Sequence, residues 1–480
     1  MGGQQTDRLR RNAVGVIGIT FFVVSAAAPL TAVAGGFPLA MLLGDGVGVP
    51  FATTIVMLLL LLFSVGYTAM SRHIANAGSF YAFNAQGLGG VAGGAAAYIA
   101  VLAYNTMQIG LYGLFGAVAA GTFEGLFGVV APWWVWSLAA LIIVAVLGYR
   151  KIDLSAKILG VLVAVEYIVV LILDLVIVGK GGDSGLGMTS FTMDSLFSGS
   201  VSIGVLMSFA AFMGFEATTI YSEEARDPEK TVPRATYVSV LVIGLFYSFT
   251  TWCMVNGAGA DKLMGVLGGL KDPTTFVFIL SDTFVGPSLT WVMSLLLISS
   301  VFAALLAFHN AAARYFYVLG REGLLPAALG QTHDEHQSPH LGSALQTALA
   351  VIVIGIFLIT GQDPIFALFA WLTNLATLSL ITLMSLVSVS VVVFFKANAQ
   401  LEPSAFKGFL APVATAILMG CVVVMVVVNF GALTGASEAL AVGLPLLVPV
   451  AGVLGALAAT RLKQGDPKRY AEMGAHQPMN

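Results

Sequence analysis

The sequence predicts an all-α integral membrane protein that crosses the membrane twelve times. Its 480 residues are 58% hydrophobic and only 9% charged, with a mean hydropathy of +0.94. Soluble domains carry about 25% charged residues, so no soluble core could bury this much apolar surface. Long apolar stretches recur along the whole chain, and the lysines and arginines collect in alternate connecting segments.

Windows of about 20 apolar residues, the length that crosses a bilayer, define the predicted spans, which are numbered 1 to 12 below. They cover residues 13–40, 50–71, 91–121, 132–149, 157–179, 200–221, 236–257, 284–311, 343–361, 364–394, 408–430 and 439–460.

The distribution of positive charge sets the expected orientation. With a cytoplasmic N-terminus, all but three of the 21 lysines and arginines fall on the cytoplasmic side, the exceptions being Lys180, Lys262 and Lys271. Cytoplasmic loops are enriched in these residues, and one span more or fewer would scramble the pattern. We therefore expect a multi-pass protein of the plasma (cell) membrane, in contact with lipid, whose tails 1–12 and 461–480 are both cytoplasmic.

Several function classes are disfavoured by the composition. A net charge of −3 gives no indication of nucleic-acid binding. Cys253 and Cys421 lie in apolar stretches and are expected to be small core residues. The chain contains no Gly-x-x-x-x-Gly-Lys-Ser/Thr motif and no nucleophile–base cluster. The segment "HDEHQSPH" (333–340) could bind a metal through His333, His336 and His340, but its composition favours a polar loop. We expect no enzyme activity, no cofactor and no metal, and a monomer or weak homodimer.

Two spans carry helix-breaking residues at corresponding positions. Span 1 reads "SAAAPLT" at its middle, with Pro29, and span 6 contains Gly214 and Glu216 beyond its midpoint. Unwound backbone is tolerated at membrane depth where it lines a cavity, and paired broken helices indicate a substrate site. An intramembrane carboxylate indicates a functional site as well. The alternative is that Pro29 only kinks span 1 and that Glu216 lies at the cytoplasmic interface.

Three stretches together carry a resemblance to a known family. "GFEATTIYSEEARDPEKTVPRA" (214–235) resembles the span-6 signature of the amino acid–polyamine–organocation (APC) superfamily. "AGSFYAFNAQGLGG" (77–90) and "ARYFYVLGREGLLPAALGQTH" (313–333) are similar to the family's second cytoplasmic segment and its segment after span 8. Their order and spacing match, and the resemblance covers nearly the whole chain.

The resemblance implies a 5+5 inverted repeat in which spans 1 and 6 are broken around the substrate, plus two C-terminal helices. The first repeat would cover 13–179, the second 200–394, and helices 11 and 12 would cover 408–460. The expected substrate-binding residues are Ser25, Ala26, Ala27, Ala28, Pro29, Asn105, Gln108, Met213, Gly214, Phe215, Glu216 and Trp371. Asn105 and Gln108 share one face of span 3, and Trp371 lies in span 10. Each could instead join helices by a hydrogen bond.

The first break departs from the family pattern. Relatives usually have a glycine-rich break whose amides bind an amino acid's carboxylate, whereas Pro29 has no amide and alanine has fewer backbone options than glycine. The departure favours a substrate with a different anion, or an amine that lacks a carboxylate.

A second departure concerns ion coupling. Glu166 occupies the place in span 5 where many sodium-independent relatives keep a lysine, so it could bind a proton, sodium or a cationic amine, or only join helices. Glu216 is the other candidate for proton coupling. Ser299 and Ser300 of span 8 lie near where the family can place hydroxyls for sodium, although serine is also common in helix packing.

We expect a secondary transporter that moves a small amino acid or amine by alternating access and that is coupled to H⁺. The alternatives are coupling to Na⁺, or exchange of a polyamine or other organic cation. An ion channel is disfavoured because the chain has no repeated filter sequence.

Overall fold

The computed structural model describes residues 15–74, 78–150, 156–220, 225–333, 338–401, 404–434 and 438–475. Within these residues the fold is helical and contains no β-strand. The unbroken helices of spans 2 to 5 are Val49–Ser71, Gly90–Phe127, Trp133–Arg150 and Ala156–Lys180. Those of spans 7 to 9 are Pro228–Ala258, Pro287–Glu322 and His340–Ile359. Spans 10 to 12 form helices over Pro364–Ala397, Phe406–Leu433 and Glu438–Gly465.

Spans 1 and 6 are each built from two helical pieces. Span 1 consists of the helix Val16–Ala26 followed by helical turns over 31–45, and span 6 consists of Val201–Ala211 and Ala217–Ile220. Shorter helices lie in the connections, among them Phe80–Leu88 before span 3 and Phe276–Phe284 before span 8.

Ten helices in the described part of the chain are long and apolar enough to cross a membrane. One of them, Thr31–Ser71, contains both the second half of span 1 and the whole of span 2. Val201–Ala211 of span 6 is apolar but too short to count alone. The difference between the ten long helices and the twelve predicted crossings is therefore due to the two broken spans, 1 and 6. The number of twelve crossings stays a prediction.

The segment 222–235 is a cluster of charged residues that joins spans 6 and 7, and its second half is helical. The helix of span 7 begins at Pro228, where proline is favoured because the first helical residue needs no amide hydrogen bond. Lys230 pairs with Asp227 at 3.0 Å, and both side chains are largely exposed. Glu223 and Glu224 of the same cluster lie outside the described residues.

Span 3 forms the centre of the helix packing. It lies against spans 8, 10 and 12, while span 2 packs against span 7 and the two pieces of span 1 contact span 6. The helices of spans 3 and 12 approach most closely at Gly94 and Gly455, where each Cα faces the other backbone. A Cβ added to Gly94 would lie 2.5 Å from the carbonyl oxygen of Gly455. Small residues permit this approach, which is a common way for helices to associate in membranes.

We predict that Gly455→Ala lowers the thermal midpoint of the purified protein because the added methyl group collides with the backbone of span 3. Overpacking of this kind costs about 1–3 kcal/mol. Gly443→Ala in the same helix is the matched control, since a Cβ there meets no atom within 4 Å. Equal midpoints for the two variants, measured by thermal denaturation in detergent, would contradict the close packing of spans 3 and 12.

Candidate functional site

The helix of span 1 is interrupted at Ala27 and Ala28. Ala28 has φ 43°, in the left-handed region that glycine favours, so the break costs on the order of 1–3 kcal/mol and persists because the surroundings hold it. On the carbonyl side of the break, the Tyr247 hydroxyl of span 7 donates to the Ala27 carbonyl at 3.0 Å. The break is therefore fixed from outside the span.

The amide side of this break is held by spans 5 and 8. The Leu30 amide donates to Glu166 Oε2 at 3.3 Å, and the Thr31 amide donates to Ser300 Oγ at 3.3 Å. The Thr31 hydroxyl also donates to Ser300 Oγ at 2.9 Å, and the Ser300 hydroxyl donates to the same Glu166 oxygen at 2.7 Å. Glu166 and Ser300 are each 1% exposed. A carboxylate and a hydroxyl thus satisfy the first amides of the second half of span 1.

The break in span 6 covers residues 212–216, and Gly214 has φ 109° there. Glu216 folds back onto this break, where its Oε2 accepts from the Gly214 amide at 2.9 Å. Its other oxygen, Oε1, accepts from the Tyr104 hydroxyl of span 3 at 2.6 Å, and the side chain is fully buried. The Glu216 carbonyl accepts from the Tyr67 hydroxyl of span 2 at 3.1 Å. The Glu216 carboxylate therefore caps its own break and joins it to span 3, while the Glu216 main-chain carbonyl joins the break to span 2.

A cavity of about 60 Å³ lies between the two breaks. Its wall is largely apolar, and the polar side chains that it includes are those of Thr31 and Thr373. The lining residues are Ala27, Ala28, Thr31, Ala32, Gly36, Met107, Leu111, Met207, Ala210, Ala211, Met213, Ala304, Phe308, Phe369 and Thr373. In this conformation the cavity has room for a few waters or a small ligand.

Aromatic side chains pack together at one side of the cavity. Phe308 lines the cavity and lies 6.2 Å from the Tyr104 ring, and Tyr104 stacks on Tyr315 at 4.9 Å. Along spans 3 and 8 these rings lie towards Gly90 and Glu322, the helix ends that the sequence predicts to be cytoplasmic. Glu216 is hydrogen-bonded into the same aromatic layer through Tyr104.

The structure brings some of the expected substrate-binding residues to the cavity. Ala27, Ala28 and Met213 line it, while Pro29, Gly214, Phe215 and Glu216 are buried in the backbone breaks beside it. Ser25 and Ala26 end the first half of span 1, but their side chains lie outside the described part of the structure.

The remaining expected residues lie away from the cavity. Gln108 accepts from Gln346 Nε2 of span 9 at 2.6 Å, and Asn105 donates to the Val101 carbonyl of its own helix. Trp371 packs with Ala367 and Ala370 in a separate small apolar cluster. Of the two serines expected near a coupling ion, Ser300 reaches Glu166, whereas Ser299 donates to the Leu296 carbonyl of its own helix.

Met107 and Leu111, which span 3 presents to the cavity, were not among the residues expected from the sequence. Tyr104, Met107 and Leu111 follow the same i, i+3, i+7 spacing as Asn105, Gln108 and Tyr112, one residue earlier. In span 10 the cavity meets Phe369 and Thr373, which flank Trp371 in the sequence. The face of span 3 that carries Gln108 joins this helix to span 9, whereas the apolar residues Met107 and Leu111 lie on the face of the cavity.

The sequence is similar to one protein family over most of its length and to individual known proteins over parts of it. The profile of the amino acid permease family matches residues 14–454. A low-affinity putrescine importer of Escherichia coli is 23% identical over 329 residues, which are 65% of this chain and 68% of the importer. A branched-chain amino acid permease of Lactococcus lactis is 30% identical over 154 residues, 32% of this chain and 31% of that permease. A γ-aminobutyric acid permease of Escherichia coli is 27% identical over 156 residues, 32% of each chain.

We predict that Ala27→Leu abolishes substrate uptake without loss of folded protein, because three additional carbons fill a narrow cavity. Ala139→Leu is the matched control, since Ala139 is exposed on the outer surface of span 4. Uptake into proteoliposomes, with reconstituted protein quantified, measures both variants. Full uptake by Ala27→Leu would place the substrate elsewhere.

Proposed function

Because the chain belongs to the amino acid permease family of the APC superfamily, we propose that it is a secondary active transporter that moves a small amino acid or amine by alternating access. It is a multi-pass membrane protein and a permease, not an enzyme. Relatives named as putrescine, amino acid and γ-aminobutyric acid permeases support a substrate of this class.

The observation that carries this proposal is the pair of helix breaks on either side of one cavity. Ala27 and Ala28 of the first break and Met213 of the second all contact it. A transporter of this kind binds its substrate near the middle of the membrane and opens the site to one side at a time. The layer formed by Tyr104, Phe308 and Tyr315 would close the cytoplasmic side, so the conformation described here would release substrate inward only after these rings separate.

We further propose that proton binding drives accumulation, through Glu166 or Glu216. An ionised carboxylate is costly to bury without a cation, and in the described part of the chain both side chains accept from hydroxyl and amide groups. Loading a proton removes this cost, and losing it on the other side restores the charge. Both carboxylates cap a break, so a change in their charge would act directly on the backbone around the substrate.

Sodium coupling is the second candidate, and one arrangement favours it. The side-chain oxygens of Glu166, Ser300 and Thr31 meet at the first break, and Na⁺, like Ca²⁺, prefers oxygen ligands. A sodium ion there would compete with the hydrogen bonds that now join these oxygens. Exchange of a polyamine or another organic cation would use the same cavity without either ion. We also propose the plasma membrane as the location, with both termini cytoplasmic.

We predict that the glutamine variant of the coupling carboxylate loses gradient-driven accumulation and keeps counterflow exchange, because glutamine mimics the protonated carboxyl group. Glu166→Gln and Glu216→Gln are each compared with wild type in proteoliposomes with an imposed pH gradient. Asp174→Asn is the matched control, since Asp174 is also buried in span 5 but bonds to Thr250.

Accumulation by both glutamine variants under a pH gradient would contradict carboxylate coupling. Wild-type uptake that needs sodium and ignores pH would select the sodium alternative, and Ser300 would then be the next residue to change. If none of the amino acids and amines tested is taken up, the proposal that this protein transports a small amino acid or amine is wrong.

A further inference from the structure

The first amides of the second half of span 1 form a position that attracts anions. A helix begins with N–H groups that have no partner within the helix, and the aligned peptide dipoles add partial positive charge there. Carboxylates and phosphates bind at such helix ends for this reason. In this chain Pro29 contributes no N–H, so Leu30 and Thr31 provide the available amides next to the cavity.

Both amides already have acceptors that come from the protein. Leu30 donates to Glu166 Oε2, Thr31 donates to Ser300 Oγ, and the Ser300 hydroxyl is held by the same carboxylate oxygen. Two donors thus converge on one oxygen of Glu166. The contacts link residues far apart in the sequence, on spans 1, 5 and 8, so they are a property of the folded site and not of the local chain.

We infer that Glu166 is a built-in anion that fills the carboxylate position at this helix end, and that the transported molecule is an amine without a carboxylate group. The inference rests on the proposed transport function and narrows its substrate class. A substrate carboxylate would have to displace Glu166 and Ser300 from the amides, or lie beside Glu166 and be repelled by it.

The rest of the cavity offers no other place for a carboxylate. None of the described residues that line it is lysine, arginine or histidine. A second buried negative charge would therefore have no counter-charge, which makes its transfer from water unfavourable. Glu216 beside the second break cannot serve as a counter-charge, because a carboxyl group is neutral or negative in either protonation state.

The same cavity suits an ammonium group attached to an apolar body. The helix Val16–Ala26 ends at the cavity, and the C-terminal end of a helix carries partial negative charge that attracts cations. Glu166 adds a formal negative charge behind the break when it is ionised. Met107, Met207 and Met213 give the wall flexible apolar side chains, and Thr31 and Thr373 add hydroxyl groups beside them.

The test uses pairs of compounds that differ only in the carboxylate. Purified protein is titrated with putrescine and ornithine, with 3-methylbutylamine and leucine, and with cadaverine and lysine, and binding is measured as the rise in thermal midpoint. We expect at least one amine to bind with a half-saturating concentration at least tenfold below that of its amino acid. Binding measurements avoid the leak of neutral amines through lipid, and uptake of labelled putrescine or leucine into proteoliposomes completes the comparison.

Two variants test which residues cause the preference for an amine over its matched amino acid. Glu166→Ala vacates the anion position, so its preference for the amine over the matched amino acid should fall at least tenfold. Of the two amides, Ser300→Ala frees only that of Thr31, so it should shift the preference in the same direction by a smaller factor. Ser299→Ala is the matched control, because Ser299 is its neighbour in the chain and bonds only within its own helix, and its preference should equal that of wild type.

The outcomes separate the two proposals. Amino acids that bind better than their amines in wild type would overturn this inference and leave the transport function standing. Unchanged preference in folded Glu166→Ala protein would also overturn the role of Glu166. If no member of any pair binds or enters proteoliposomes, the proposed transport function fails together with the inference.

Discussion

The site depends on one constraint: where span 1 unwinds, its free backbone amides and carbonyls must find hydrogen-bond partners elsewhere in the protein. No water is available in the hydrocarbon region, so each such group needs a partner within the protein, and an unpaired one costs several kcal/mol. Here the Ala27 carbonyl, the Leu30 amide and the Thr31 amide find partners on spans 7, 5 and 8 respectively. The break therefore exists because three other helices are positioned to complete it.

The second break solves the same problem with a residue of its own. One carboxylate oxygen of Glu216 accepts a hydrogen bond from the Gly214 amide, two residues earlier in the same break. The other oxygen accepts from the Tyr104 hydroxyl of span 3. The two breaks consequently differ in how they are tied to the rest of the fold. The first depends on Glu166 and its serine, while the second is self-capped and linked to the aromatic layer on the side predicted to be cytoplasmic. A change of charge at either carboxylate would reach the backbone of its break through one hydrogen bond.

Much of this architecture could be predicted from the sequence because it depends on local physical features. Apolar length defines the spans, and Pro29 and Gly214 locate the breaks through their restricted or permissive backbone. The face of span 3 that lines the cavity could not be predicted in this way. One residue turns a helix by about 100°, and the polar residues Asn105 and Gln108 were expected at the cavity although they lie on a different face. The contact of Ser300 with Glu166 joins residues 134 positions apart, and no periodicity in either span indicates it.

The most direct measurement of the central claim, that Glu166 and Ser300 cap the first break as one unit, is a double-mutant cycle on the thermal midpoint of the purified protein. Glu166→Ala, Ser300→Ala and the double variant are compared with wild type in the same detergent. Residues in one hydrogen-bond network give effects that do not add. We expect the double variant to lose clearly less than the sum of the two single losses, since either change removes the shared contact. Losses that simply add would show that the two side chains act independently and would contradict the capping arrangement.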